Sequence, residues 1–282
     1  MFGKNEIVGK RFFANAGEKK LLVTSMFMTL QGEGPFSGEP AFFIRLAKCN
    51  LNCTFCDTFF DDGEWLTYGE INRKITSTIK DFYAAKNLRK AQWALNRRMV
   101  LVVTGGEPAL QDNLNEFLVR IGSTFKQMQI ETNGTLALNL PKETIVVVSP
   151  KCSEKKAAYL QPKEETLRRA DCLKFVMCAD RESPYSDIPD WAHDWADATG
   201  RTIYISPMNV YNLVPLASKR LRSTNKCLTL KERSSVDEVV SFWEEGLLDR
   251  GENQRNHEYA AAFCTQNGYT FNLQMHLYAS LA

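Results

Sequence analysis

Four chemically loaded turns punctuate the sequence: TGGEP at 104–108, ETNGT at 131–135, SPK at 149–151 and SPMN at 206–209. Each follows directly on a short apolar run of strand character. This recurrence constrains the fold more than any other feature, because in βα-alternating folds the loops after the strand C-termini gather on one rim and carry the site. The apolar runs at 20–29, 41–47, 97–103, 127–132, 144–149, 172–177, 202–206 and 269–275 read as strands. Helical spacing is seen at 68–86, where Ile71, Ile75, Ile79 and Phe82 share a face, and at 113–125, 235–248 and 256–266. Strand and helix alternate, so the expected fold is α/β with a mainly parallel sheet, open or closed into a partial barrel. Residues 179–200 and 211–233 are weakly patterned and read as long connections or an appended element. The 282 residues, 44% hydrophobic and 24% charged, suffice for one full-sized core, and one domain is expected.

Charge excludes some partners. With 35 basic and 33 acidic residues the formal net charge is +2, so no global field favours nucleic acid or an anionic membrane surface. The N-terminal stretch lacks a signal-peptide apolar core, and no run reaches the roughly 18–20 apolar residues of a membrane span. A soluble cytoplasmic protein is expected. Eight cysteines in a chain of this length are too sparse for a disulfide scaffold. Cys152, Cys172, Cys178, Cys227 and Cys264 are scattered and read as small buried residues.

The other three cysteines fall within KCNLNCTFCDT, as Cys49, Cys53 and Cys56 in the pattern C-x3-C-x2-C. Three thiolates from one loop can reach a common centre. A structural zinc site would call for a fourth ligand at short spacing, and the histidines are His193, His257 and His276 only. A 4Fe-4S cluster is usually held by four thiolates, so three would leave one iron open to something other than protein. The pattern resembles that of the radical S-adenosylmethionine (SAM) superfamily, in which the open iron chelates the amino and carboxylate groups of SAM. The reduced cluster then cleaves SAM to methionine and a 5'-deoxyadenosyl radical. TGGEP is similar to that superfamily's SAM-binding turn: Gly105 and Gly106 permit close backbone approach and Glu107 offers a carboxylate to an ammonium.

A longer ordered string, from Leu30-Gln31-Gly32-Glu33 through Arg45 to the cysteines and Asp57-Thr58, resembles the 7-carboxy-7-deazaguanine synthases. So do TGGEPAL, ETNGT, VSPK and the terminal LQMHLYASLA, in family order from about residue 24 onward. The resemblance implies a partial, incomplete TIM-like βα barrel of the radical SAM type with extra loop and helical elaborations. It also implies conversion of 6-carboxy-5,6,7,8-tetrahydropterin to 7-carboxy-7-deazaguanine with loss of ammonia, a step of 7-deazaguanine (queuosine-type) biosynthesis. The radical would take hydrogen from C6 of the pterin, and SAM would be reusable.

Carried over residue by residue, Leu30, Gln31, Gly32, Glu33, Arg45, Thr104, Gln274, His276 and Ala282 would meet the substrate. Arg45 suits a carboxylate because its planar fork bonds both oxygens. SAM contacts would come from Phe55, Cys56, Asp57, Gly105, Gly106, Glu107, Ser149, Pro150 and Lys151, and from Ser206, Pro207, Met208 and Asn209. Family members commonly carry Gln where Ser206 stands, which weakens a side-chain contact there. The Thr58 hydroxyl would ligate Mg2+, a hard cation that prefers oxygen. An electron donor such as flavodoxin or ferredoxin and a homodimer are also implied. His193 and His257 lie outside every motif and are expected at the surface.

Two other readings compete. A radical SAM activase that installs a glycyl radical in a partner protein shares C-x3-C-x2-C, but would need a docking surface rather than the QGEGP, Arg45 and QMH set suited to a small heterocycle. A non-enzymatic Cys-rich binding module would be favoured by a basic, aromatic-interleaved stripe, which the sequence lacks. The chain also departs from compact family members by an N-terminal extension of about residues 1–20 and an insertion of about 211–258, neither with a ligand pattern.

Overall fold

The computed structural model describes residues 6–13, 19–53, 55–56, 58, 60–85, 96–153, 155–211 and 248–279. The strands among them are β1 (Lys20–Leu30), β2 (Pro40–Leu46), β3 (Glu64–Thr67), β4 (Val100–Gly105), β5 (Gln127–Thr132), β6 (Ile145–Val148), β7 (Cys152–Ser153), β8 (Ala158–Tyr159), β9 (Cys172–Met177), β10 (Ile203–Pro207) and β11 (Thr270–Phe271). Nine of them form one sheet in the order β11-β10-β9-β6-β5-β4-β2-β1-β3, and β7 and β8 make a separate hairpin. From β2 to β11 every pairing is parallel, while β1 runs antiparallel to both β2 and β3. The parallel strands therefore all present their C-terminal ends on one edge, as the four loaded turns require.

The helices are α1 (Tyr68–Ala85), α2 (Leu114–Ile121), α3 (Glu164–Arg169), α4 (Asp190–Thr199), α5 (Arg250–Asn267) and α6 (Met275–Tyr278). Two cores result. One packs Ile71, Ile75 and Ile79 of α1 and Leu114, Phe117 and Leu118 of α2 with Leu21, Phe42, Ile44, Leu101 and Ile130 of the sheet. The other packs Val146, Leu173, Phe175, Ile203 and Ile205 with Ala192 of α4 and Ala260 and Cys264 of α5. Each fully buried side chain such as Phe42 or Ile44 contributes about 1.5–3 kcal/mol.

Several boundaries differ from the sequence reading. The run 269–275 is strand only at Thr270–Phe271, because Asn272 turns inward to hydrogen-bond and Met275 opens α6. The helix expected at 256–266 starts at Arg250, where the Asp249 side chain accepts from Glu252 N at 2.9 Å. The helix expected over 113–125 gives way at Gly122 to a 3-10 turn. Within the weakly patterned 179–200, Trp191, Ala192, Trp195 and Ala196 form the core face of α4, which stops at Gly200 with φ +65°. The short elements β3, β7, β8 and α3 carry too little periodicity to be read from sequence. The helix expected at 235–248 and Cys227 lie, apart from Leu248, outside the described residues. His193 and His257 are half-buried rather than at the surface: His193 Nδ1 meets the Tyr269 hydroxyl, and His257 Nε2 the Tyr278 hydroxyl at 3.0 Å. Of the N-terminal extension, Ile7 bridges to Cys49, and Val8 N donates to Cys49 O at 2.9 Å.

The contact that positions the site lies between the ends of β2 and β4. Gly106 N donates to Leu46 O and Glu107 N to Lys48 O, both at 2.8 Å. Gly105 has φ +113°, and a Cβ on Gly106 would lie 1.8 Å from the Lys48 carbonyl oxygen. The two glycines thus let the root of the cysteine loop rest on the β4 turn. Gly106→Ala is expected to destabilise the fold by about 3 kcal/mol or more, since the clash is with backbone. Gly200→Ala, with nothing within 4 Å of its Cβ, should cost only about 1 kcal/mol from its left-handed backbone. Urea denaturation of the two variants checks the contrast.

Candidate active site

A cavity of about 230 Å³ opens at the C-terminal edge of the parallel strands, and Cys49, Cys53 and Cys56 all line it. The loop that carries them begins at Lys48, a non-glycine residue at φ +71° whose backbone N donates to Phe60 O at 2.6 Å. Cys49 is buried, with its Sγ 3.4 Å from Leu51 N, and Cys56 N closes a turn onto Cys53 O at 3.2 Å. Burial, the Glu107 carboxylate and the two neighbouring cysteines push the Cys49 thiol up to about 12. Each thiolate raises the cost of the next, so the trio suits a strongly positive partner. Among the described residues no three Cys, His, Asp or Glu side chains converge on a single-ion site. Three thiols lining one cavity are the donor type that a multi-iron cluster takes, each thiolate on a different iron.

The Glu107 carboxylate is fully buried and accepts from Ala109 N at 2.8 Å, Thr132 Oγ1 at 2.7 Å and Asn133 N at 2.8 Å. Burial raises its pKa against the pull of those three donors and of Lys151. Read from sequence, Glu107 offers its carboxylate to an ammonium; in the structure it faces inward and joins the β4 turn to ETNGT, while Gly105 and Gly106 line the cavity. ETNGT in turn grips the cysteine loop: Asn133 Nδ2 donates to Asn50 Oδ1 at 2.9 Å, and Asn50 Nδ2 to Thr135 Oγ1 at 2.8 Å.

The opposite wall is polar. Lys174 Nζ lies 2.8 Å from both Glu33 Oε2 and Glu131 Oε2. Gln31 Nε2 donates to Glu131 Oε1 at 3.2 Å, and Ser206 Oγ to Glu33 Oε1 at 3.2 Å. Asn272 ties this wall to the loop after β1 by donating to Ser206 Oγ at 2.8 Å and accepting from Gly34 N at 2.9 Å. Burial alone pulls the Lys174 pKa down, but Glu131 and Glu33 outweigh it and hold the ammonium charged above the ordinary lysine range. Arg45 projects along the wall, its guanidinium 4.8 Å from the Phe27 ring, which stacks on Phe43 at 5.3 Å.

Most of the residues singled out in the sequence meet in this cavity. Gln31, Glu33, Arg45, Thr104, Phe55, Thr58, Ser149, Lys151, Ser206, Pro207, Met208, Asn209, Gln274 and His276 line it with the cysteines and glycines. Lys151 Nζ donates to Ser149 O and Oγ at 2.7 and 2.6 Å, and Asn209 Nδ2 to Gln274 Oε1 at 2.6 Å. A Cβ on Gly32 would lie 2.5 Å from His276 Nδ1, so this glycine makes room for the tail. Leu30, Gly32 and Pro150 stand behind the lining, and Asp57 and Ala282 lie outside the described residues. The sequence reading missed Glu131 and Lys174 as site residues. The signal for Lys174 is a lysine inside the apolar strand CLKFVM, since a buried charge requires partners.

A parallel α/β sheet that gathers a three-cysteine loop and a GG turn at its C-terminal edge is the arrangement a radical SAM-type enzyme requires, and the sequence relatives agree with that class. The chain belongs to the 7-carboxy-7-deazaguanine synthase family. It is 36% identical over 231 residues to the 7-carboxy-7-deazaguanine synthase of Rickettsia prowazekii, covering 82% of this chain and 88% of that protein. It is 33% identical over 192 residues to that of Rhodospirillum rubrum, covering 67% and 71%. The crystal structure of QueE from Escherichia coli shares the fold, with a TM-score of 0.51 at 21% identity over 94% of this chain and 98% of that one. No protein-family model matches the chain.

Glu107→Gln replaces a lone-pair-rich oxygen with a donor that faces existing donors. It is expected to cost about 1–3 kcal/mol, read as a lower urea midpoint with an unchanged slope.

Proposed function

We propose that the protein converts 6-carboxy-5,6,7,8-tetrahydropterin into 7-carboxy-7-deazaguanine with release of ammonia, a step of 7-deazaguanine biosynthesis. The observation that carries this reading is that one cavity gathers the cysteine triad, the GG turn and the Gln31, Glu33 and Arg45 wall, in a chain of this family. The open parallel sheet supports a partial βα barrel, with β2, β4, β5, β6, β9 and β10 as its staves.

Cys49, Cys53 and Cys56 would hold a 4Fe-4S cluster, and Gly105, Gly106, Phe55, Ser149 and Lys151 would seat SAM. Together these groups supply, when bound, the one-electron chemistry that removes a hydrogen atom from the substrate. The protein's own part is placement. Arg45, steadied by Phe27, binds the pterin carboxylate through its two-pronged fork. Glu33 and Gln31 offer acceptors and donors to the amino-pyrimidinone edge at the other end of the ring. Leu51, Phe55 and Phe60 add apolar lining to the same cavity, which lowers the local dielectric and strengthens its polar anchors. The Thr58 hydroxyl also lines the cavity and is an oxygen donor fit for Mg2+ near the substrate carboxylate. A flavodoxin- or ferredoxin-type electron donor, a homodimer and a cytoplasmic location complete the proposal. Among the described residues no helix is long and apolar enough to cross a membrane.

The test is anaerobic reconstitution with iron and sulfide, followed by reductant, SAM, Mg2+ and 6-carboxytetrahydropterin. Formation of 7-carboxy-7-deazaguanine is expected, and a protein with an intact cluster that makes none refutes the reading. Cys53→Ala should abolish the broad absorbance near roughly 400 nm of a thiolate-bound cluster. Arg45→Ala should keep that absorbance and much of the SAM cleavage while losing product, as expected if one fork anchors the carboxylate. Full turnover by Arg45→Ala would sink that assignment.

A further inference from the structure

Lys174 is the least expected residue in the site. It sits in the middle of β9, with 6% of its surface exposed, between two carboxylates at 2.8 Å. Both carboxylate side chains are themselves largely buried, at 15% exposure for Glu33 and 14% for Glu131. A buried lysine paired with one carboxylate would be neutral overall; this one holds two, and the trio carries one net negative charge. Each carboxylate spends one oxygen on the ammonium. The other oxygen is oriented by a donor on its far side: Gln31 and Gln129 for Glu131, Ser206 for Glu33. Both acceptors, held by one ammonium, line the cavity.

Without a cation between them, two partly buried carboxylates at this spacing could not both stay ionised, because like charges in a low dielectric drive one to take up a proton. A protonated carboxyl offers an O–H donor where an acceptor stood. We infer that Lys174 is a positioning residue of the substrate site: its ammonium keeps Glu33 and Glu131 ionised together, so that the wall presents paired acceptors to a ligand edge rich in N–H groups. Such an edge is the amino-pyrimidinone face of a pterin, and the inference rests on the function proposed above. A heterocycle with oxygen in place of the exocyclic amino group would present an acceptor to the same wall and be rejected. Lys174 itself need not touch the ligand, since both its short contacts go to carboxylates.

Other charged or titratable groups face the trio. Lys151 and Cys172 lie near Lys174, and Arg45 and His276 line the same cavity. Burial keeps Cys172 a neutral thiol, its pKa pushed up to about 12. Losing Lys174 also removes one of the charges that lower the Lys151 pKa, so a slope seen in K174M is assigned to the carboxylate pair by its loss in K174M/E33Q, where Lys151 is equally freed of Lys174.

The experiment compares reconstituted wild type, K174M and the double variant K174M/E33Q. KM for the pterin and kcat are measured from about pH 5 to 8, which spans the rise above the ordinary glutamate value that a like charge and burial together produce. Wild-type KM is expected to vary less than K174M KM over this range. For K174M, KM should be raised about tenfold or more at the acid end, the worth of one charge-assisted hydrogen bond, and should fall as pH rises and the second carboxylate ionises. K174M/E33Q has no carboxylate pair, so its KM should stay above wild type but lose that added slope. Thermal unfolding follows the same order, with K174M lowest and the double variant partly restored. If K174M alone is insoluble, a soluble double variant supports the inference and an insoluble one overturns it. A K174M KM equal to wild type, or the K174M slope persisting in K174M/E33Q, also overturns it. Wild type without turnover sinks the pterin reading instead, which separates the two failures.

Discussion

Everything at the C-terminal edge of the sheet depends on one buried carboxylate. Glu107 joins three donors from two different turns, and the β4 turn it anchors is also the surface on which the cysteine loop rests. A carboxylate without these donors would be costly to bury; with them it costs little and enforces a single geometry. The ETNGT turn, held by Glu107, passes the constraint back to the cysteine loop through Asn133, Asn50 and Thr135. The root of the loop, Lys48 to Asn50, is therefore held by protein contacts, and Cys49, Cys53 and Cys56 all line one cavity.

The site divides into halves built on different physics. On the cysteine side, backbone contacts made possible by two glycines leave little side-chain freedom. On the other side, a chain of hydrogen bonds runs from Gly34 N through Asn272, Ser206, Glu33, Lys174 and Glu131 to Gln31. Ser206 matters here despite being shorter than the glutamine common in the family. Its hydroxyl accepts from Asn272 and donates to Glu33, a bridging role that suits a small side chain.

Much of this was legible in the sequence because parallel strands report themselves twice, by an apolar run and by the turn that follows it. β5 and β9 match the expected limits, and the loaded turns meet on one edge as their placement demands. What escaped was set by tertiary contact. β11 is shorter than its apolar run because Asn272 is drawn inward, and α4 is marked only by alternating Trp and Ala pairs amid acidic residues. The inward turn of Glu107 was hidden for a similar reason: a motif shows which groups are present, while the direction a carboxylate faces depends on donors 25 residues away. Lys174 left a trace, a charge in a buried strand, but its two partners come from distant segments.

The position of His276 over Gly32 joins segments far apart in the chain. The cysteine loop, the β4 turn and the ETNGT brace are all complete by residue 135, whereas the opposite wall waits for Lys174, Ser206, Asn272 and His276. The cavity is therefore whole only once the loop after β1 and α6 have met.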